Sequence, residues 1–84
     1  MAEHLTPVTD SLLRRQDVER LTGLARSAIY SRLNASHPQH DPTFPRPVPM
    51  GGPADRPTCV RWSARELDTW IQARIAGRDT RKAA

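Results

Sequence analysis

Apolar positions along this 84-residue chain fall into short periodic runs punctuated by glycine and proline. After Leu12 and Leu13 come Val18 and Leu21, three apart, which suits one face of a short helix over about 16–22. Asp17 and Glu19 lie in its first turn, where carboxylates meet the positive end of the helix dipole. Gly23 follows at once and can take the positive φ that ends a helix and turns the chain. A second helix is predicted over about 25–34, with Leu24 or Ala25, Ile29 and Leu33 on its inner side. Two short helices joined across one glycine form a helix-turn-helix pattern centred on Thr22-Gly23-Leu24.

From Asn34 to Pro57 the texture changes, because Pro38, Pro42, Pro45, Pro47, Pro49, Pro53 and Pro57 all fall inside it and no helix survives that spacing. Val48 to Met50 and Thr58 to Trp62 read instead as two strands of a hairpin with a long tip around Gly51-Gly52-Pro53. Pro47 and Pro49 lack backbone donors, so the first strand must be an edge. Ser63-Ala64-Arg65-Glu66 reads as a capping box, opening a helix to about Gly77 with Leu67, Trp70, Ile71 and Arg74 or Ile75 at 3–4–3–4 spacing. The chain therefore divides into a polar leader over 1–11, one domain over 12–78, and a basic tail from Arg78-Asp79 onward, over 79–84. Its fold class is mainly α with a small β-hairpin, a winged helix-turn-helix.

Composition narrows the function. With 37% apolar and 5% aromatic residues the core must be sparse, so Trp62 and Trp70 are expected in it and a deep enzyme pocket or a cofactor is not. Thirteen Lys and Arg against nine Asp and Glu give a net charge of +4, and twelve of the thirteen are Arg. Guanidinium suits phosphate and guanine edges, although a GC-rich genome produces the same excess. The single cysteine, Cys59, excludes an internal disulfide framework and reads as a small buried hydrophobe in a strand. Met1-Ala2-Glu3-His4 shows no basic or apolar signal region and no stretch is long enough to span a membrane, which predicts a soluble cytoplasmic protein.

Candidate chemistry concentrates on the second helix. With Ile29 inward and about 100° per residue, Ser27, Ser31, Asn34 and, nearer the edge, Tyr30 point outward, and Arg26 reaches around from the amino end. Arg26 can read guanine or hold phosphate, short Ser27 and Ser31 permit close approach, and Tyr30 suits a phosphate. No acidic residue falls between Ala25 and His40, and the hairpin adds Arg46, Arg56 and Arg61. A basic hairpin beside a recognition helix can follow phosphates or enter the minor groove. Any small soluble helix also shows a polar outer face. His37, His40 and Asp41 lack a matching Cys or His pair elsewhere, so no metal is expected, and no motif surrounds any Ser, His or Asp that could form a hydrolytic triad.

The run Leu13-Arg14-Arg15-Gln16-Asp17-Val18 through Thr22-Gly23-Leu24-Ala25-Arg26-Ser27-Ala28-Ile29-Tyr30 resembles the AlpA family of prophage regulators, relatives of MerR-like winged helices and of phage excisionases. Phe44-Pro45-Arg46-Pro47-Val48, Val60-Arg61-Trp62 and Glu66-Leu67-Asp68-Thr69-Trp70-Ile71 continue the likeness, which covers about 12–78. It implies a MerR-like winged helix-turn-helix with Arg26, Ser27 and Tyr30 in the recognition helix, Arg61 in the wing, and Trp62 and Trp70 in the core. Three features depart from the pattern. Ala25 stands where a Ser normally caps the recognition helix, a loss of about 0.5–2 kcal/mol for which Thr22 or a neighbour must compensate. Ser36 to Thr43 looks like an insertion, and the wing tip from Pro53 to Thr58 is long.

The expected function is sequence-specific binding of double-stranded DNA by a regulator of a bacterial mobile element, acting on transcription, on excision, or on both. RNA polymerase or an integrase would then share the DNA. With about seven residues after Gly77, too few for a coiled coil, a monomer that binds cooperatively is expected. The alternative is a protein-interaction adaptor that uses the helix-turn-helix as a scaffold and docks through its Pro-rich segment.

Overall fold

A computed structural model of the chain describes residues 9–53 and 58–83, with side chains described as far as residue 78. The elements are β1 (Leu12–Leu13), α1 (Arg15–Thr22), α2 (Arg26–Leu33), β2 (Val48–Gly51), β3 (Cys59–Ser63) and α3 (Ala64–Ala83). This is the mainly helical, winged helix-turn-helix architecture expected from the sequence.

Local chemistry accounts for both ends of α1. Asp17 Oδ2 accepts the Arg14 amide at 3.1 Å, and Arg15 pairs with Glu19 one turn on at 2.9 Å. Gly23 closes the helix in the left-handed region at φ 75°, its N–H donating to the Glu19 carbonyl at 2.8 Å. The Thr22 hydroxyl donates to the Val18 carbonyl at 2.7 Å and accepts the Leu24 amide at 3.2 Å. Thr22 thus fixes the turn and does not cap α2. Ala25 sits at that N-cap in extended backbone without a side-chain hydrogen bond, so no side chain caps α2.

The three strands run antiparallel in the order β1-β3-β2. Leu13 lies opposite Trp62, and Val48 opposite Arg61. β2 is an edge, as Pro49 within it requires. A bulge falls between Pro49 and Gly51, after which the Thr58 amide donates to the Gly51 carbonyl at 2.8 Å and closes the base of the hairpin.

Among the described residues five buried side chains, one from each of five segments, make the core: Val18, Ile29, Phe44, Trp62 and Leu67. Leu13, Leu24, Leu33, Val60, Trp70 and Ile71 pack around them, half-buried. Trp62 is central as expected, although its Nε1 has no hydrogen-bond partner among the described residues.

Several expectations change. Leu12-Leu13 is a short strand on β3, not the approach to a helix, and Leu21 is 58% exposed because two-turn α1 meets the core only through Val18. The packed chain begins before Leu12. Asp10 Oδ2 accepts the Ser63 hydroxyl at 2.6 Å, and its Oδ1 accepts the Arg65 amide at 3.0 Å. Ser63 does receive the Glu66 amide at 3.1 Å, but the carboxylate that completes the cap comes from Asp10 and not from Glu66. α3 runs through Gly77 to Ala83, since a helical glycine costs only about 1 kcal/mol relative to alanine and Gly77 is not in the left-handed region. Cys59 is exposed. With Trp62 and Val60 facing the core, strand alternation turns Arg61 and Cys59 outward.

Trp70, expected in the core, is half-buried at its edge. Its ring stands edge-on to Phe44 at 5.0 Å and its Nε1–H donates to Asp41 Oδ2 at 3.0 Å. It therefore ties α3 to the loop after α2. No helix among the described residues is long and apolar enough to cross a membrane.

Candidate nucleic-acid interface

α2 is set at its angle by Ile29, wholly buried, and by Tyr30, whose ring meets Trp62 of β3 edge-on at 6.4 Å. The opposite side is exposed. Ala25, Arg26, Ser27 and Tyr30 line one shallow recess at its amino end, where the Arg26 guanidinium lies over the Tyr30 ring, 5.6 Å from its centroid. That stacking restricts a long side chain before any ligand arrives. Beside it, the first amides of α2 have no side-chain cap, which leaves the positive end of the helix dipole open to an anion.

Ser31 and Asn34, expected on the same outer face, are drawn toward the following loop. The Ser31 hydroxyl donates to the Ser27 carbonyl at 2.8 Å and lies 3.4 Å from His37 Nε2, while Asn34 Oδ1 accepts the Ser36 amide at 2.9 Å. Arg26, Ser27 and Tyr30 are thus brought together, with Ser31 and Asn34 farther along and partly occupied. On the wing, Arg61 lies along its own strand, Nη1 donating to the Val60 carbonyl at 2.9 Å and to Cys59 Sγ at 3.4 Å. Arg46 is exposed just before β2 and groups with Arg32 and His40 around a separate small cavity. Arg56 lies outside the described residues.

Asp41 is the single acidic residue in the sequence between α2 and β2, and its carboxylate is engaged within the loop and by α3. Oδ1 accepts the amide and hydroxyl of Thr43 at 2.9 and 2.5 Å, Oδ2 accepts Trp70, and Arg74 Nη1 stands 3.8 Å away. Burial raises its pKa, but the hydrogen bonds from Thr43 and Trp70 and the Arg74 charge outweigh burial and hold it below the ordinary carboxylate value. Among the described residues no group of three or more His, Cys, Asp or Glu could hold a metal ion. In the sequence nothing singles out Arg32, and His40 stands out only beside His37 and Asp41. Their meeting with Arg46 depends on how the loop folds, for which no local motif exists.

Comparison with known proteins places this geometry in context. The family model described as prophage CP4-57 regulatory protein (AlpA) matches residues 11–75. The DNA-binding transcriptional activator AlpA of Escherichia coli (strain K12) is 36% identical over 63 residues, covering 75% of this chain and 83% of the relative. The uncharacterized protein ORF88 of Enterobacteria phage P4 is 35% identical over 69 residues, covering 82% of this chain and 66% of the relative. No solved structure matches the chain. The family model spans the strand, both helices of the helix-turn-helix, the hairpin and the first half of α3, and the chain belongs to the AlpA family of prophage regulatory proteins.

Proposed function

We propose that the protein is a double-stranded DNA-binding regulator of a prophage or related mobile element, placing α2 in the major groove with the β2–β3 hairpin as a wing. The observation that carries this reading is the exposed amino end of α2, where a stacked Arg26, the small Ser27 and uncapped backbone amides form one cationic recess. Its Escherichia coli relative is named a DNA-binding transcriptional activator. In this reading Arg26 reads a base edge, Ser27 and the α2 amides hold a phosphate, and Tyr30 positions Arg26. Ser31 and Asn34 act at the far end of the helix, and Arg46, Arg56 and Arg61 meet phosphates.

Binding to a random duplex and to the element's own regulatory DNA, measured across a salt series, tests the proposal. Affinity should fall steeply as salt rises. Arg26→Ala should weaken specific binding by about 1–3 kcal/mol with much less effect on random DNA. Equal losses on both would reassign Arg26 to phosphate, and no binding to any duplex at low salt would leave a protein-interaction scaffold instead.

The finer reading is an architectural factor that acts beside an integrase as well as at a promoter. A footprint of about 600–1,000 Å² binds one site only modestly, so useful occupancy calls for neighbouring copies on direct repeats with bending of the DNA between them. Footprinting with circularly permuted fragments checks this. An inverted repeat occupied by a stable solution dimer on unbent DNA would leave an ordinary dimeric regulator, with RNA polymerase as the partner.

A further inference from the structure

The loop after α2 gathers a second set of cations, away from the Arg26–Tyr30 recess. The Asp41 amide donates to the Arg32 carbonyl at 3.0 Å and folds the loop back along the last turn of α2. A cavity of about 170 Å³ results, with Arg32, His40, Asp41, Phe44 and Arg46 among its walls. The only carboxylate there, Asp41, is already bonded to Thr43 and Trp70. Arg32 spends Nη1 on the Ala28 carbonyl at 3.0 Å. Among the described residues the rest of its guanidinium, the exposed Arg46 guanidinium and the His40 ring have no acceptor. Two guanidinium-bearing residues and a histidine around one cavity, without an acceptor among the described residues, offer the donor set an oxyanion takes.

We infer that Arg32, His40 and Arg46 form a phosphate-binding subsite that grips the DNA backbone on the flank of α2 opposite Arg26 and Tyr30. The inference rests on the duplex-binding reading above. Two residues of helix separate Tyr30 from Arg32 by about 160° around the axis, so the two clusters lie on opposite sides of the exposed face. A helix in the major groove has a phosphate strand on each side. The Arg26 cluster meets one strand, and the loop cluster meets the other. The loop segment Ser36 to Thr43 thereby supplies His40 and the turn that seats it.

Salt dependence of duplex affinity for the full chain tests the subsite. Arg46→Ala should weaken random and specific duplexes by the same factor, about five- to tenfold, and should reduce the salt slope by about 0.9. His40→Ala should weaken both without changing preference, and Arg46→Lys should restore the slope. Arg46 is exposed, so its variants should melt with the wild type, which a thermal scan checks. A slope unchanged in both alanine variants, while the wild type binds DNA, overturns the subsite alone. A loss confined to one sequence overturns the phosphate assignment and makes Arg46 a base reader. A wild type that binds no duplex overturns the subsite together with the functional reading.

Discussion

Replacing Trp70 separates the forces that seat α3 on the loop from those that seat α2. The indole stands edge-on to Phe44 at 5.0 Å and 79°, donates to Asp41 Oδ2 at 3.0 Å, and carries the Arg74 guanidinium 5.8 Å from its centroid. An aromatic pair contributes about 0.5–1.5 kcal/mol beyond its area. A hydrogen bond to a carboxylate contributes about 1.5–3 kcal/mol, and the lower end applies because Asp41 keeps 17% side-chain exposure. Half-burial of the indole adds about 1 kcal/mol. Trp70→Ala should therefore cost about 3–4 kcal/mol, a large part of the roughly 5–10 kcal/mol available to a small domain. Trp70→Phe keeps the ring pair and loses the donor, so it should cost about 1.5 kcal/mol, or about 6–12 °C in Tm. Thermal unfolding by circular dichroism of Trp70→Phe, Asp41→Ala and the double variant completes a cycle whose coupling should be about 1–1.5 kcal/mol. A Trp70→Phe melt that overlays the wild type, or zero coupling, would refute the claim that Trp70 holds the Asp41 loop.

Gly23→Ala should cost about 1–2 kcal/mol from backbone strain alone, because φ is 75° and nothing stands within 4 Å of the added Cβ; an unchanged Tm would remove the left-handed cap from the account. Ala25→Ser should stabilise the domain by about 0.5–2 kcal/mol by supplying the missing cap of α2, and a lower Tm would show that those amides are already satisfied. Hydrogen bonds from Ser63 and the Arg65 amide lower the Asp10 pKa from 3.8, and Asp41 is also lowered despite its burial. Both carboxyls are depressed in the folded state, so their contribution is complete above the unfolded value and is lost as pH falls through the folded values. Tm should stay level from about pH 7 to 5 and drop below about pH 4, with a smaller drop in Asp10→Asn/Asp41→Asn; an equal drop in that variant would assign acid sensitivity elsewhere.

What could be read from the sequence was what short-range rules control. Gly23 announced the turn, Ile29 gave the phase of α2, Pro47 and Pro49 placed β2 at an edge, and Ser63 marked the start of α3. Cys59 was also within reach, since putting Trp62 inward turns every second residue of β3 outward. The misses were long-range. Leu12-Leu13 is too short to show a period, and Asp10 reaches Ser63 across 53 positions of sequence. Gly77 looked like a stop because glycine ends helices through positive φ, a conformation it does not take here. The apolar stripe brings Trp70 to the core, but a stripe does not specify that its partners are Phe44 and Asp41. Of the candidate interface, Arg26, Ser27 and Tyr30 follow from helix phase. The grouping of Arg46 with Arg32 and His40 follows from one backbone bond, Asp41 to Arg32, that no local pattern encodes.

The packing also constrains how a duplex could be met. α1 and α2 have eight residues each, below the length at which an isolated helix is stable in water, so both depend on tertiary contacts. For α2 those contacts lead to Trp62, which shares the core with Ile29 and receives the edge of Tyr30 at 6.4 Å. Trp62 belongs to β3, whose outward face carries Arg61 and whose edge partner is β2. The helix that presents Arg26 and the strand that presents Arg61 are therefore joined through one buried ring. Neither can swing without opening the core. A duplex engaged by both must supply the compliance itself, by bending or by a change in groove width, and the energy of that deformation depends on base sequence. Discrimination would then extend to base pairs that no side chain touches, and it would weaken in variants that loosen Trp62 even when every DNA-facing residue is kept.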